Sequence, residues 1–203
     1  ENTIAGTALG LLPLLSEGYT HKPSRTNPYD KAVTKGIHLL MRRQDPKTGF
    51  FGGTMYQHAL ATCALCEAYG MTQDPAIRRF AQMGIDLIVK SQGDDGGWRY
   101  GPTKAVQGDT CIAGWQINAL TSANAAGLIV PAGTLKKANK FLDGCYANNG
   151  FGYVRGGGAT PRLTAVGVLS RQRIVAGPDS AERRRDRGYQ SAVAVDGDVA
   201  RRG

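Results

Sequence analysis

At 203 residues the chain is long enough to bury a core, as one large domain or two small ones. Its apolar run from Ala8 to Leu15 falls well short of the about 20 residues that span a bilayer, and no later stretch comes closer, so the sequence holds no candidate transmembrane segment. The formal net charge of +9 raises nucleic acid as a partner, but residues 1–170 scatter 17 Lys and Arg among 11 Asp and Glu without an aromatic-interleaved stripe, which sets that partner aside.

The chain opens at Glu1 without an initiator Met, as a processed product or an excerpt would. The four cysteines have no framework spacing and read as reduced thiols, which favours a cytoplasmic or membrane-peripheral protein and leaves membrane-surface association open. Cys63 and Cys66 form a C-x-x-C inside a helical stretch and read as core.

In chain order, the spacing predicts a first helix over Ile4 to Leu15, rich in small and apolar residues and without charge. A second opens at Asn27-Pro28, where a side-chain oxygen can cap and Pro fits the first turn, and carries Tyr29, Val33, Ile37 and Leu40 on one stripe. The third, Tyr56 to Tyr69, is again dominated by small residues. The fourth opens at Asp74-Pro75 and repeats the stripe with Ile77, Ala81, Ile85 and Ile88. Asp109 to Ala126 forms the fifth, and a sixth after Pro131 shows Leu135, Ala138, Phe141 and Leu142. Leu163 to Arg171, behind Thr160-Pro161, is the seventh.

A shift of 48 residues lays Gly36, Ile37, Leu39, Leu40, Gln44, Gly49 and Phe50 on Gly84, Ile85, Leu87, Ile88, Gln92, Gly97 and Trp98. The loop Asn149-Gly150-Phe151 echoes Gly97-Trp98 at a shift of 53, an insertion-sized drift. The chain thus alternates a small-residue helix, as found where neighbours crowd on every side, with an amphipathic, solvent-facing one. Such pairs bury their faces only by stacking, as an open solenoid or as a ring with the small-residue helices inside.

The run from Gly84 through Gln92 to Gly97-Trp98 resembles the QW motif of squalene-hopene and oxidosqualene cyclases, and Gln44 to Phe50 looks like a second copy with Phe for Trp. The order Tyr56, Ala59-Leu60-Ala61-Thr62, Glu67-Ala68-Tyr69-Gly70, Gly97-Trp98-Arg99-Tyr100 and Gly108-Asp109-Thr110 ahead of Gly114-Trp115-Gln116 resembles a bacterial cyclase-like branch, of no assigned activity, of the terpenoid cyclase and protein prenyltransferase superfamily, over roughly residues 5–172. The resemblance implies an all-α fold of helical hairpin repeats forming part of an α/α toroid, an incomplete α6/α6 barrel, since about seven helices are too few to close the ring. It implies a structural role for Gln44, Gly49, Phe50, Gln92, Gly97 and Trp98, which would tie the ends of outer helices. Tyr56, His58, Asp109, Thr110 and Trp115 become candidates to line the cavity.

The same resemblance bears on chemistry. A squalene-hopene-type cyclase protonates an alkene with an acid in D-x-D-D-T-A, and aromatic faces hold the resulting cations. This chain reads Val106-Gln107-Gly108-Asp109-Thr110, so the first and central acids are absent, and Asp109, the one catalytic candidate, reads first as a helix N-cap. The expectation is a polyisoprenoid-binding domain that does not itself start cyclisation; if active, it would be a terpene cyclase or mutase. A non-catalytic helical-repeat scaffold that captures a protein is the alternative. Asp109-Thr110-Cys111 with Trp115 also resembles the D-x-C-x-x-x-W stretch of prenyltransferase β-subunits, making Asp109 and Cys111 candidate zinc ligands. The third ligand of that family, a His later in the chain, has no match, because His21, His38 and His58 all precede Asp109; His58 could stand in for it only by reaching across the ring. No metal or other cofactor is expected.

Beyond about Arg171 the pattern stops, and the tail with Arg183-Arg184-Arg185 lacks Lys altogether. The expectation is a repeat domain over residues 1–172 and a disordered or non-native Arg-rich tail over 173–203, with the arc's bare inner surface promoting self-association.

Overall fold

The computed structural model describes residues 3–176. Seven helices account for most of them: α1 (Thr3–Ser16), α2 (Asp30–Arg43), α3 (Met55–Thr72), α4 (Pro75–Ser91), α5 (Thr110–Ala125), α6 (Ala132–Cys145) and α7 (Pro161–Ala176). The strands β1 (Tyr146–Ala147) and β2 (Gly150–Phe151) make one short antiparallel hairpin, with Tyr146 opposite Phe151 and Ala147 opposite Gly150. The fold is all-α, and no described helix is long and apolar enough to cross a membrane.

The helices sort into two layers. α3 packs on α1 and α5, and α5 on α7, while α2 leans on α1, α4 on α3 and α5, and α6 on α5 and α7. Composition explains the sorting. α2 buries only Val33, Ile37 and Leu40, a single stripe, and leaves its charged residues facing water. α3 buries twelve residues around its whole circumference, including His58, Thr62, Cys63, Cys66 and Tyr69, as a helix hemmed in by neighbours must.

Successive inner helices run parallel, because Cys63 and Glu67 of α3 meet Asn118 and Ser122 of α5 in the same order, at 3.3 and 2.6 Å. Small side chains let the inner helices close up: a Cβ on Gly114 would sit 2.6 Å from Cγ1 of Val166 in α7. Cys63 and Cys66 are both buried free thiols.

Two boundaries differ from the sequence reading. Asn27 does not cap α2; its Nδ2 donates to the Thr20 carbonyl and its Oδ1 accepts from the Tyr29 N–H, which shapes a turn and delays the helix to Asp30. Tyr29 therefore leaves the buried stripe and packs edge-on against Tyr19, with ring centroids 4.9 Å apart. At the other end α7 continues past Arg171 to Ala176, so a boundary at residue 172 would cut a helix whose Ser170 and Ile174 still face the core. Residues 177–203, including the Arg183–Arg187 run, lie outside the described residues.

Candidate functional site

The loops after the outer helices are built alike. Gln44 ends α2 and Gln92 ends α4, each with extended backbone. Nε2 of Gln44 donates to the carbonyls of Gly49 at 2.9 Å and Phe80 at 3.0 Å. Nε2 of Gln92 donates to those of Gly96 at 2.9 Å and Thr134 at 3.0 Å. In both cases one N–H closes the loop and the other reaches the next outer helix, so an otherwise buried amide satisfies two carbonyls at once.

The register of these loops corrects the sequence alignment by one residue. The glycine with positive φ after Gln92 is Gly96, at +91°, and its counterpart after Gln44 is Gly49, at +76°. A Cβ on either would strike the main-chain carbonyl of the adjoining outer helix, Lys137 for Gly96 and Met83 for Gly49. Gly97 is instead the close-contact glycine against Gly108 and Phe141. Likewise the ring matching Trp98 is Phe51, which is buried, whereas Phe50 is half-buried. The second loop is one residue shorter between glutamine and glycine, and a constant shift hides that. Trp98 is wholly buried and donates Nε1–H to the Ile88 carbonyl at 2.7 Å.

Past the aromatic residue, the loops after α4 and α6 each zip the starts of two inner helices together. The Trp98 carbonyl accepts from the Asp109 N–H and the Tyr100 carbonyl from the Met55 N–H, both at 2.9 Å. One repeat later the Phe151 carbonyl accepts from Thr160 and the Tyr153 carbonyl from Thr110, at 3.1 and 2.9 Å. Four donors at helix starts, which no intrahelical carbonyl can reach, are satisfied this way.

The zipping gathers one side-chain cluster at the N-terminal ends of α3 and α5: Tyr56, Arg99, Tyr100, Asp109, Cys111 and Tyr153. The Tyr100 and Tyr153 hydroxyls lie 3.2 Å apart, the Tyr56 and Tyr100 rings 6.0 Å apart, and the Arg99 guanidinium 5.9 Å from the Tyr153 ring centre. Asp109 is fully buried and caps α5, its Oδ1 accepting from the Ile112 N–H at 2.8 Å. Its Oδ2 is also shielded from solvent and makes no hydrogen bond of good geometry, and the Tyr153 hydroxyl lies beside the carboxyl. Burial raises the Asp109 pKa above the ordinary carboxylate value, against the pull of the Ile112 N–H. The phenol of Tyr56 is pushed up by burial and then by Cys111 beside it, and that of Tyr153 by its bond to Tyr100 and then by burial.

The other candidates fall elsewhere. His58 does not approach Asp109: it turns toward α4, where Nε2 is 2.9 Å from the Gly84 carbonyl, and lies between the Phe50 and Phe51 rings at 5.6 and 5.5 Å. Burial pushes its pKa down to about 4, so at neutral pH it is uncharged with the proton on Nε2. Thr110 spends its hydroxyl on the Gly152 carbonyl at 2.7 Å and is closed to a ligand. Trp115 is half-buried against the core, one turn beyond the half-buried Cys111. Among the described residues no group of three or more His, Cys, Asp or Glu comes together to hold a metal, and with His58 turned away the pair Asp109 and Cys111 lacks a third ligand.

Tyr100 and Tyr153 were missed as site residues. The signal was present: Gly97-Trp98-Arg99-Tyr100 and Gly150-Phe151-Gly152-Tyr153 match at the same shift of 53 that relates the two loops. No protein-family model matches the chain, and no curated protein shows significant similarity to it.

Proposed function

We propose that the chain is a terpenoid cyclase-like domain, part of an α/α toroid, that binds a polyisoprenoid at the tyrosine-rimmed N-terminal ends of its inner helices without starting cyclisation. The observation that carries this reading is the meeting of Tyr56, Tyr100 and Tyr153 around a buried carboxyl, Asp109. Aromatic faces give an alkene chain a flat apolar surface and favour any positive charge that develops along it. The half-buried Cys111 and Trp115 continue that lining along α5. The two-layer array, with its repeated Gln–Gly–ring loops, supports the toroid.

Binding without turnover is supported by what surrounds Asp109. Protonating an isolated alkene demands an acid far stronger than an ordinary carboxyl, which a second carboxyl or a strong donor must create. Here the neighbouring positions are Val106, fully exposed, and Gly108, whose Cβ position lies 2.6 Å from the Gly97 Cα. Burial raises the Asp109 pKa, which weakens it as an acid.

The test is equilibrium binding of squalene, with product analysis by gas chromatography. Saturable binding with no cyclic product is expected. Absence of binding refutes the reading, and a cyclic product refutes its second half. A second reading, a non-catalytic helical-repeat scaffold, is favoured by an open hollow of about 650 Å³ along α7, lined by Thr164, Ala165, Val168 and Leu169. A scaffold would ignore squalene.

A further inference from the structure

We infer that the chain associates head to tail with a second copy of itself, the bare face of α7 in one copy receiving the bare face of α1 in the next. The inference rests on the repeat and is independent of any polyisoprenoid. Each inner helix presents one face to the helix that follows it. Counted from the first residue of the helix, the fifth position of α5, Gly114, meets Val166 of α7, and the ninth positions of α3 and α5, Cys63 and Asn118, meet each other at the edge of that face.

On α7 the same positions are Ala165 and Leu169, and nothing described covers them. Leu169 is 54% exposed where Cys63 is 2% exposed, and neighbouring Val168 is 44% exposed where its counterparts Thr62 and Ile117 are fully buried. The hollow beside them extends over Thr164 and Gln172 and contains no charged side chain.

The opposite end of the array carries the complementary half. α1 turns Ala8, Leu11 and Leu15 inward, while Gly6, Leu9, Gly10 and Pro13 form an exposed stripe at helical spacing. Leu9 is 51% exposed, and Cβ positions on Gly6 and Gly10 would have no atom within 4 Å, so another helix can approach closely. α1 has no charged residue. Because inner helices run parallel, stacking α1 on α7 in the same sense brings the exposed Glu17, just past α1, to the end of α7 that carries Arg173. Both ends of the array thus offer small or apolar, uncharged faces, with one acidic and one basic side chain at the same end of the stacked pair. The contact is heterologous, so one copy's head fills another's tail.

Sedimentation velocity over a concentration series tests this directly, with Leu9→Arg and Leu169→Arg, both at exposed positions. The wild-type chain should grow in mass with concentration, and each variant alone should stay monomeric, its self-association weakened at least about tenfold. An equimolar mixture of the two variants should form a dimer and stop there, because one retains an intact α7 face and the other an intact α1 face. Circular dichroism establishes that each variant keeps its helices; if Arg disturbs either fold, Leu9→Gln and Leu169→Gln replace the pair. A wild-type chain that stays monomeric, as it would if residues 177–203 covered α7, overturns the inference. So does undiminished association of either variant alone, or a mixture that fails to dimerise.

Discussion

His58 makes the stability of the fold depend on pH in a way that can be isolated. Its ring is buried between Phe50 and Phe51, and its one polar contact, Nε2 with the Gly84 carbonyl, requires a proton on Nε2 but leaves Nδ1 buried without a partner. A second proton would place a cation there, so the folded pKa falls to about 4 against about 6.5 in an unfolded chain. Above pH 6.5 both states are neutral at this residue and no penalty arises. As pH falls from about 6.5 toward 4, the unfolded state takes up the proton and the folded state does not, so stability declines. At about 1.4 kcal/mol per pH unit over about 2.5 units, the loss is about 3 kcal/mol.

Asp109 acts in the opposite direction, since a raised carboxylate pKa lets the folded state take its proton first and gain stability on acidification. The difference between wild type and His58→Gln cancels that contribution. Urea unfolding of both proteins at pH 7 and pH 4 measures it. The wild type should lose about 3 kcal/mol more than the variant. Parallel pH dependences would refute the buried, neutral histidine.

Four further outcomes follow from the loops and the site. Gly96→Ala forces a side chain into positive φ and into the Lys137 carbonyl, and should cost about 3 kcal/mol by chemical denaturation. Trp98→Phe removes the Nε1 bond to Ile88 and leaves a void, and should cost about 2 kcal/mol, whereas Phe50→Ala should cost less than Phe51→Ala because only Phe51 is buried. Asp109→Ala deletes the α5 cap and should cost about 1 kcal/mol, while Asp109→Asn, which can still accept from Ile112, should leave stability nearly unchanged.

Much of the architecture was legible because it rests on period and on punctuation. Ile77, Ala81, Ile85 and Ile88 behind Asp74-Pro75 mark α4 without ambiguity, and the side chain of Asp74 does accept from the Ala76 N–H. The alternation of layers was legible in composition, since α3 has few ways to meet water and α2 has many. Loop register was not. One residue fewer between Gln92 and Gly96 than between Gln44 and Gly49 moves the positive-φ glycine and the buried ring, and only the carbonyls of Met83 and Lys137 reveal it.

Site residues were the least legible. Asp109 could be read as a cap, but its unsatisfied Oδ2 depends on which loop folds over it. Tyr100 and Tyr153 lie 53 residues apart in sequence and meet only because their carbonyls anchor neighbouring helix starts. From its place at a helix start His58 reads as free to reach Asp109, yet it is held by the Gly84 carbonyl instead, and the missing Gly84 side chain makes room for Thr62, one turn further along α3.

Photolabelling with a polyisoprenoid that carries a diazirine, followed by peptide mapping, tests the proposed role most directly. Saturable labels on Tyr56, Tyr100, Tyr153 or Trp115, competed by squalene and reduced about tenfold in Tyr100→Ala with Tyr153→Ala, are the expected result. Labels confined to the exposed faces of α1 and α7, or labelling that squalene fails to compete, would contradict it.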